Sequence, residues 1–190
     1  MTIYAPVTEK ALIRLLQESL SLEGPSAVRY SNFEEDPRVT EEFYSDSSSR
    51  QGYAVCNFSQ SDTLDAVIVT YGKIVGEALK AMDTLRVEGR NVGIVLLERL
   101  KPYDDIYIDI SALLPKTVKC VIFLEEGIRI GGAAMVLNDK FSFDRRFEAV
   151  NRTIMAIDDD FVIPQSGETV YDAAGISAER IVEWIGRNLR

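Results

Sequence analysis

The sequence predicts an α/β fold, a mostly parallel sheet sandwiched by helices and preceded by a partial β-α-β unit. Three observations carry this expectation. Apolar runs of strand length, DAVIVTYG (65–72), NVGIVLLERL (91–100) and TVKCVIFLEE (117–126), alternate with segments of helical periodicity, and such alternation packs as parallel strands joined by right-handed helical crossovers. The runs are continuous rather than alternating, as in strands covered on both faces. Glycines stand where strands give way to helices, at Gly72, Gly127, Gly131 and Gly132, where a chain turns or approaches another backbone closely.

Taken in order, Ile3 to Pro6 reads as a short strand. Thr8 is an N-cap, with Glu9 at the positive end of the helix dipole. The helix that follows is expected over 8–22, with Leu12, Ile13, Leu15, Leu16 and Leu20 on one face. Gly24 and Pro25 stop it, and Ser26 to Tyr30 is a second strand. Residues 31–64 are rich in acids, serine and turn formers and read as a linker, with a further strand over 53–58 pairing as a hairpin with residues near 65. Beyond the strand at 65–72, a helix over about 73–88 aligns Ile74, Ala78, Met82 and Leu85, and Gly89 ends it as the C′ residue. The strand at 91–100 is followed by a turn at Pro102, a short helix over 108–115 and the strand at 117–126. A helix from Gly132, a strand near 153–157 and a last helix capped by Ser177 complete the chain, the last burying Ile181, Val182, Ile185 and Leu189, with Trp184 as a packing residue.

With 190 residues, 46% of them apolar and 27% charged, the composition is that of a soluble globular domain. The net charge of −9 argues against nucleic acid and anionic membranes, which need positive potential. No apolar run reaches the length of a membrane span and the first residues do not form a secretory signal, so a cytoplasmic protein is expected. Cys56 and Cys120 fit no zinc or redox spacing, and Cys120 reads as a small buried apolar residue. Histidine is absent, which excludes histidine acid–base chemistry, Ser-His-Asp triads and His-rich metal sites.

The most informative stretch is VIFLEEGIRIGG (121–132). An apolar strand is expected to stop at Glu125, Glu126 and Gly127, and Gly131 and Gly132 to open the next helix. Two adjacent carboxylates at a strand end are costly to bury unless hydrogen-bonded, paired or wet. A phosphate cradle is disfavoured, because the acids repel an anion and the glycine spacing matches neither a P-loop nor a clean dinucleotide motif. The acids Asp104 and Asp105, and Asp158 to Asp160, lack the spacing of a calcium loop and read as solvated loops. No catalytic, cofactor or metal residue is assigned on this chain.

Four segments in this order, GPSAVRY (24–30), LERLKPYD (97–104), LEEGIRIGG (124–132) and DDFVIPQSG (159–167), resemble the C-terminal domain of transketolase-like thiamine-diphosphate enzymes. Within that superfamily the chain is most similar to the 1-deoxy-D-xylulose-5-phosphate synthases. The resemblance implies a division into residues 1–30, the tail of a pyrimidine-binding-type domain, the linker 31–64, and a transketolase C-terminal-type domain over 65–190.

It further implies a parent activity, carboligation of pyruvate with glyceraldehyde 3-phosphate using thiamine diphosphate and magnesium. The family holds that cofactor on a Gly-Asp-Gly motif in preceding domains, and no such motif occurs here. The chain alone is therefore expected to be inactive and to serve dimerisation and structural support, as a homodimer or with a separate N-terminal half that carries the cofactor site. The loop Glu125, Glu126, Gly127, Gly131 and Gly132 is expected near the twofold interface. Arg29 is a substrate-binding candidate. The family arginine expected to hold the substrate phosphate is replaced by Asn32, which cannot offer a charged bidentate clamp. A free-standing non-catalytic interaction module, and the equivalent domain of transketolase or of a 2-oxoacid dehydrogenase β subunit, are the alternatives.

Overall fold

The computed structural model describes residues 1–31, 34–44, 52–58 and 63–189. Two sheets organise it. The first two strands, β1 (Thr2–Tyr4) and β2 (Ser26–Val28), pair in parallel around helix α1 (Glu9–Leu20). Thr8 caps α1 as expected, its hydroxyl accepting the Ala11 amide at 3.1 Å.

The single apolar face expected of α1 is not what the structure has. Ala11 and Leu15 are buried, whereas Ile13, Leu16 and Leu20 are exposed at 51%, 43% and 87%. At about 100° per residue, Ile13, Leu16 and Leu20 lie within roughly 60° of one another while Leu15 stands about 100° to 160° from them. The leucine-rich sequence thus spreads its apolar residues over two sides of the helix, of which this chain covers the one that carries Ala11 and Leu15.

The segment read as a linker carries structure of its own. Helix α2 (Pro37–Tyr44) buries Val39 and Phe43 in the main core. Strand β3 (Tyr53–Cys56) is buried throughout, and its partner is not the region near 65: it pairs antiparallel with residues 94–97.

The main sheet has the order β3, β5 (Val92–Leu97), β4 (Ala66–Thr70), β7 (Cys120–Ile128), β8 (Asn151–Ile157), all parallel except β3. The strand expected over 91–100 breaks at Glu98. The amides of Glu98 and Arg99 both donate to the Gly52 carbonyl, at 2.9 and 2.8 Å, which leaves one residue unmatched and bends the strand. Past the bend, β6 (Arg99–Lys101) leaves the main sheet and pairs antiparallel with β1, closing a second sheet of order β2, β1, β6. The N-terminal unit is therefore joined to the rest of the chain by backbone hydrogen bonds.

Helix α3 (Val75–Val87) follows β4, and Gly89, with φ +75°, follows its C-cap Glu88 in the left-handed conformation that glycine tolerates. Helix α4 (Tyr103–Leu113) starts five residues earlier than expected, directly after Pro102. Asp104 and Asp105 form its first turn, where carboxylates favour the helix dipole, so they are not a loop; Asp104 also pairs with Lys140. Helix α5 (Ala133–Ser142), the short α6 (Val170–Ala173) and α7 (Ala178–Asn188) complete the chain. Helices α3 and α7 pack on one face of the sheet with α2, and α4 and α5 on the other, giving the sandwiched architecture that the alternating pattern predicts. Cys56 and Cys120 are both buried free thiols. Among the described residues no helix is long and apolar enough to cross a membrane.

Candidate functional site

In the main sheet the chain leaves β4 through α3 to β5 on one side, and returns through α4 to β7 on the other. Beyond the carboxyl ends of β4 and β7 the connections diverge, and open α/β sheets take ligands in the crevice this creates. A cleft of about 740 Å³ opens there, between the loop after β4, the end of β7 and the N-terminal unit. Tyr71, Gly72 and Lys73 line it from one side, Glu126 and Tyr171 from another, and Arg29 with Ser31 from the end of β2.

Arg29, the sequence candidate, lies at this cleft, with its guanidinium carbon 5.6 Å from the centre of the Tyr71 ring. The Tyr71 hydroxyl donates to Glu125 Oε2 at 3.0 Å, and the same oxygen accepts the Ala134 amide of the first turn of α5 at 3.2 Å. Burial, then the Glu125 charge and hydrogen bond, push the Tyr71 phenol up to about 12 against the opposing effect of Arg29. The phenol keeps its proton at neutral pH and remains a donor.

The two acids of the motif part company. Strand β7 runs on through both and through Gly127 to Ile128, one residue beyond the expected stop at Glu125, Glu126 and Gly127, with its register to β8 shifting between Leu124 and Ile128. Glu125 is wholly buried, its charge met by a helix N-terminus, whereas Glu126 is exposed on the cleft wall. Gly127 is a loose neighbour of Tyr71, and Gly131 adopts φ +79°. Gly132 is the N-cap of α5 with φ −69°, so it is glycine for space and not for backbone freedom: a Cβ there would lie 1.8 Å from Glu125 Oε1. Asn32, which stands where the family pattern has an arginine, lies outside the described residues.

Three further acids escape a sequence reading. Glu98, wholly buried at the bend after β5, accepts from Arg14 of α1 at 2.6 Å and from Tyr44 of α2 at 2.9 Å. Glu77 on α3 accepts the Ala178 amide at 2.8 Å and thereby caps α7 in place of Ser177, whose own hydroxyl makes no capping bond. Glu35 accepts the Glu9 amide and the Thr40 hydroxyl, tying the start of α1 to α2. Tyr71 falls inside the strand expected over 65–72 but follows the last residue of β4, and its adjacency to Gly72 at a strand–helix joint is the available signal.

The family model described as transketolase, C-terminal domain, matches residues 57–181. The chain belongs to the transketolase C-terminal domain family. Similarity to individual relatives is wider than this match and runs almost from end to end of the chain. A 1-deoxy-D-xylulose-5-phosphate synthase of Rhodopirellula baltica is 28% identical over 188 residues, 96% of this chain and 27% of the relative. The enzyme of the same name from Listeria monocytogenes is also 28% identical, over 96% of this chain and 29% of its own length. The chain thus spans under a third of these curated relatives. The crystal structure of a transketolase from Campylobacter jejuni superposes with a TM-score of 0.61 over 98% of this chain and 26% of that one, at 15% identity, a likeness of fold.

The cleft of this transketolase C-terminal domain does not suit thiamine diphosphate and its metal. Glu9, Glu34, Glu35, Asp36, Glu77 and Glu126 line it against Arg29, Lys73 and Lys80, six acids to three bases, and such a wall repels a polyanion. Among the described residues no three His, Cys, Asp or Glu side chains come together to hold a metal ion.

Proposed function

We propose that this chain serves as the C-terminal supporting unit of an enzyme of the 1-deoxy-D-xylulose-5-phosphate synthase type. In this reading the carboligation of pyruvate with glyceraldehyde 3-phosphate takes place on thiamine diphosphate held by another polypeptide segment. The observation that carries it is the pair of coverages, 96% of this chain against 27% of the synthase. The similarity therefore includes α1, β2, α2 and β3, which lie before the residues matched by the family.

Arg29 is the residue through which this unit reaches a ligand. It is a cationic side chain in the cleft backed by an aromatic ring. The exposed stripe Ile13, Leu16 and Leu20 is the contact for a second copy or for a separate N-terminal half; full burial of such a side chain is worth about 1.5–3 kcal/mol, most of it unrealised at Leu20 and about half at Ile13 and Leu16. A cytoplasmic location accords with two buried, unpaired thiols. The same stripe favours a second reading, a free-standing interaction module without chemistry.

Titration calorimetry with thiamine diphosphate and magnesium tests the assignment. The expected result is no saturable heat from the chain alone. Saturable micromolar binding would overturn the supporting role. Size-exclusion chromatography with a synthase polypeptide truncated before this region separates the two readings: co-elution and recovered carboligation mark the supporting unit, and their absence marks the module.

A further inference from the structure

We propose that Tyr71 and Glu125 are positioning residues that hold the Arg29 guanidinium in the cleft, ready for a single anionic group, carboxylate or phosphate, of a small ligand. The inference deepens the role given to Arg29 above and rests on it. Arg29 follows the last residue of β2 and is an exposed residue. An arginine there, with nothing to lie on, samples many rotamers, and ordering it at the moment of binding weakens the contact. Its guanidinium instead lies 5.6 Å from the centre of the Tyr71 ring. The Tyr71 hydroxyl also accepts a side-chain hydrogen bond from Arg29, and the remaining N–H donors of the guanidinium are left for an oxyanion.

The ring is itself held. Tyr71 is 9% exposed, and its hydroxyl is fastened to Glu125 Oε2 at 3.0 Å. Glu125 is in turn fixed by the Ala134 amide at 3.2 Å and hemmed by Gly132. Stability does not account for this linkage. Phenylalanine would fill the place of Tyr71 without needing a polar partner. The wholly buried Glu125 leaves its second oxygen, Oε1, without a hydrogen bond, a cost that an apolar residue would not carry. What the pair secures is the orientation of the ring under Arg29. The acid-rich wall completes the selection: a diphosphate is repelled, while one anionic group can be held where the guanidinium is fixed.

The test is nuclear magnetic resonance of the arginine Nε–Hε groups of the full chain, with inorganic phosphate and acetate as probes in separate titrations. The Arg29 signal is assigned by its loss in Arg29→Lys. It is expected to respond saturably to one of the two anions, and which one responds identifies the group. Tyr71→Phe keeps the buried ring, so the amide spectrum away from the cleft should be retained. In that variant the free-state Arg29 signal should move towards its solvated position and anion binding should weaken about fivefold, the loss of one hydrogen bond. Glu125→Gln keeps an acceptor for Tyr71 and should stay within about twofold of the parent. Gly132→Ala, which lies outside the cleft and displaces Glu125, should weaken binding as Tyr71→Phe does. If Arg29 responds to neither anion in the parent chain, the ligand role of Arg29 falls. If it responds equally in the parent and in Tyr71→Phe, the positioning role alone falls.

Discussion

Glu125 Oε1 sits where a Cβ on residue 132 would have to be, 1.8 Å from the ideal position. A buried carboxylate and a glycine seven residues on are thus one feature. The strand brings the acid beneath the first turn of α5, and only a residue without a side chain lets the helix start that close.

Replacement of Gly132 by alanine should therefore displace Glu125 and destabilise the fold by about 2 kcal/mol, in the range of core overpacking. Gly131→Ala meets open space and suffers only from its φ of +79°, so about 1 kcal/mol is expected. Urea denaturation of the two variants checks the order. A Gly132→Ala protein as stable as the parent would show that Glu125 is free to move.

Glu98 ties α1 and α2 to the bend in the sheet through one oxygen that accepts from both Arg14 and Tyr44. Arg14→Ala leaves a buried carboxylate without its cation. Because the Arg14 side chain is 42% exposed, the loss should be about 2 kcal/mol and not the larger value of a fully buried pair. Tyr44→Phe should cost about 1 kcal/mol, and the double variant should depart from additivity by more than about 0.5 kcal/mol. Hydrogen exchange at Ala5, whose amide donates to the Glu98 carbonyl at 2.8 Å, should quicken in both; unchanged protection would argue that the N-terminal sheet docks without this clamp.

Helix α7 starts at a serine, yet its N-terminal amide is satisfied by Glu77, a side chain from another helix. Glu77→Ala is expected to cost about 1–2 kcal/mol, the value of a lost cap, and Ser177→Ala clearly less. Equal losses, or the reverse order in thermal melts, would return the capping role to Ser177.

Glu35 has its carboxyl held below the ordinary glutamate value of 4.5, chiefly by the Thr40 hydroxyl and then by the Glu9 amide. A lowered folded-state value means that its contribution is present above the unfolded-state value and is lost as pH falls through the folded one. The tie between α1 and α2 should thus hold at neutral pH and loosen only under acid conditions below about pH 4.5. The amide shift of Glu9 followed by pH titration reports it, and a midpoint at or above 4.5 would contradict the hydrogen-bonded geometry.

The sequence by itself determined the strands and helices of the main sheet. A short apolar run such as 65–72, rich in β-branched residues and closed by a glycine, reads as a strand buried on two faces, and the stripe Ile74, Ala78, Met82, Leu85 as the covered side of a helix. These are local signals, since side chains a few residues apart share one environment. The family likeness was legible for the same reason, being carried by short ordered segments. What only the tertiary structure decided is which apolar stripe of α1 is covered, where the strand after Val92 bends, and which acids are buried. Arg14 and Glu98 are 84 residues apart, Tyr71 and Glu125 are 54, and Glu77 and Ala178 are 101. A buried carboxylate is tolerable only if folding supplies its donors. Nothing in the neighbourhood of Glu125 or Glu126 along the chain distinguishes the one that gains a tyrosine and a helix N-terminus from the one that stays in water.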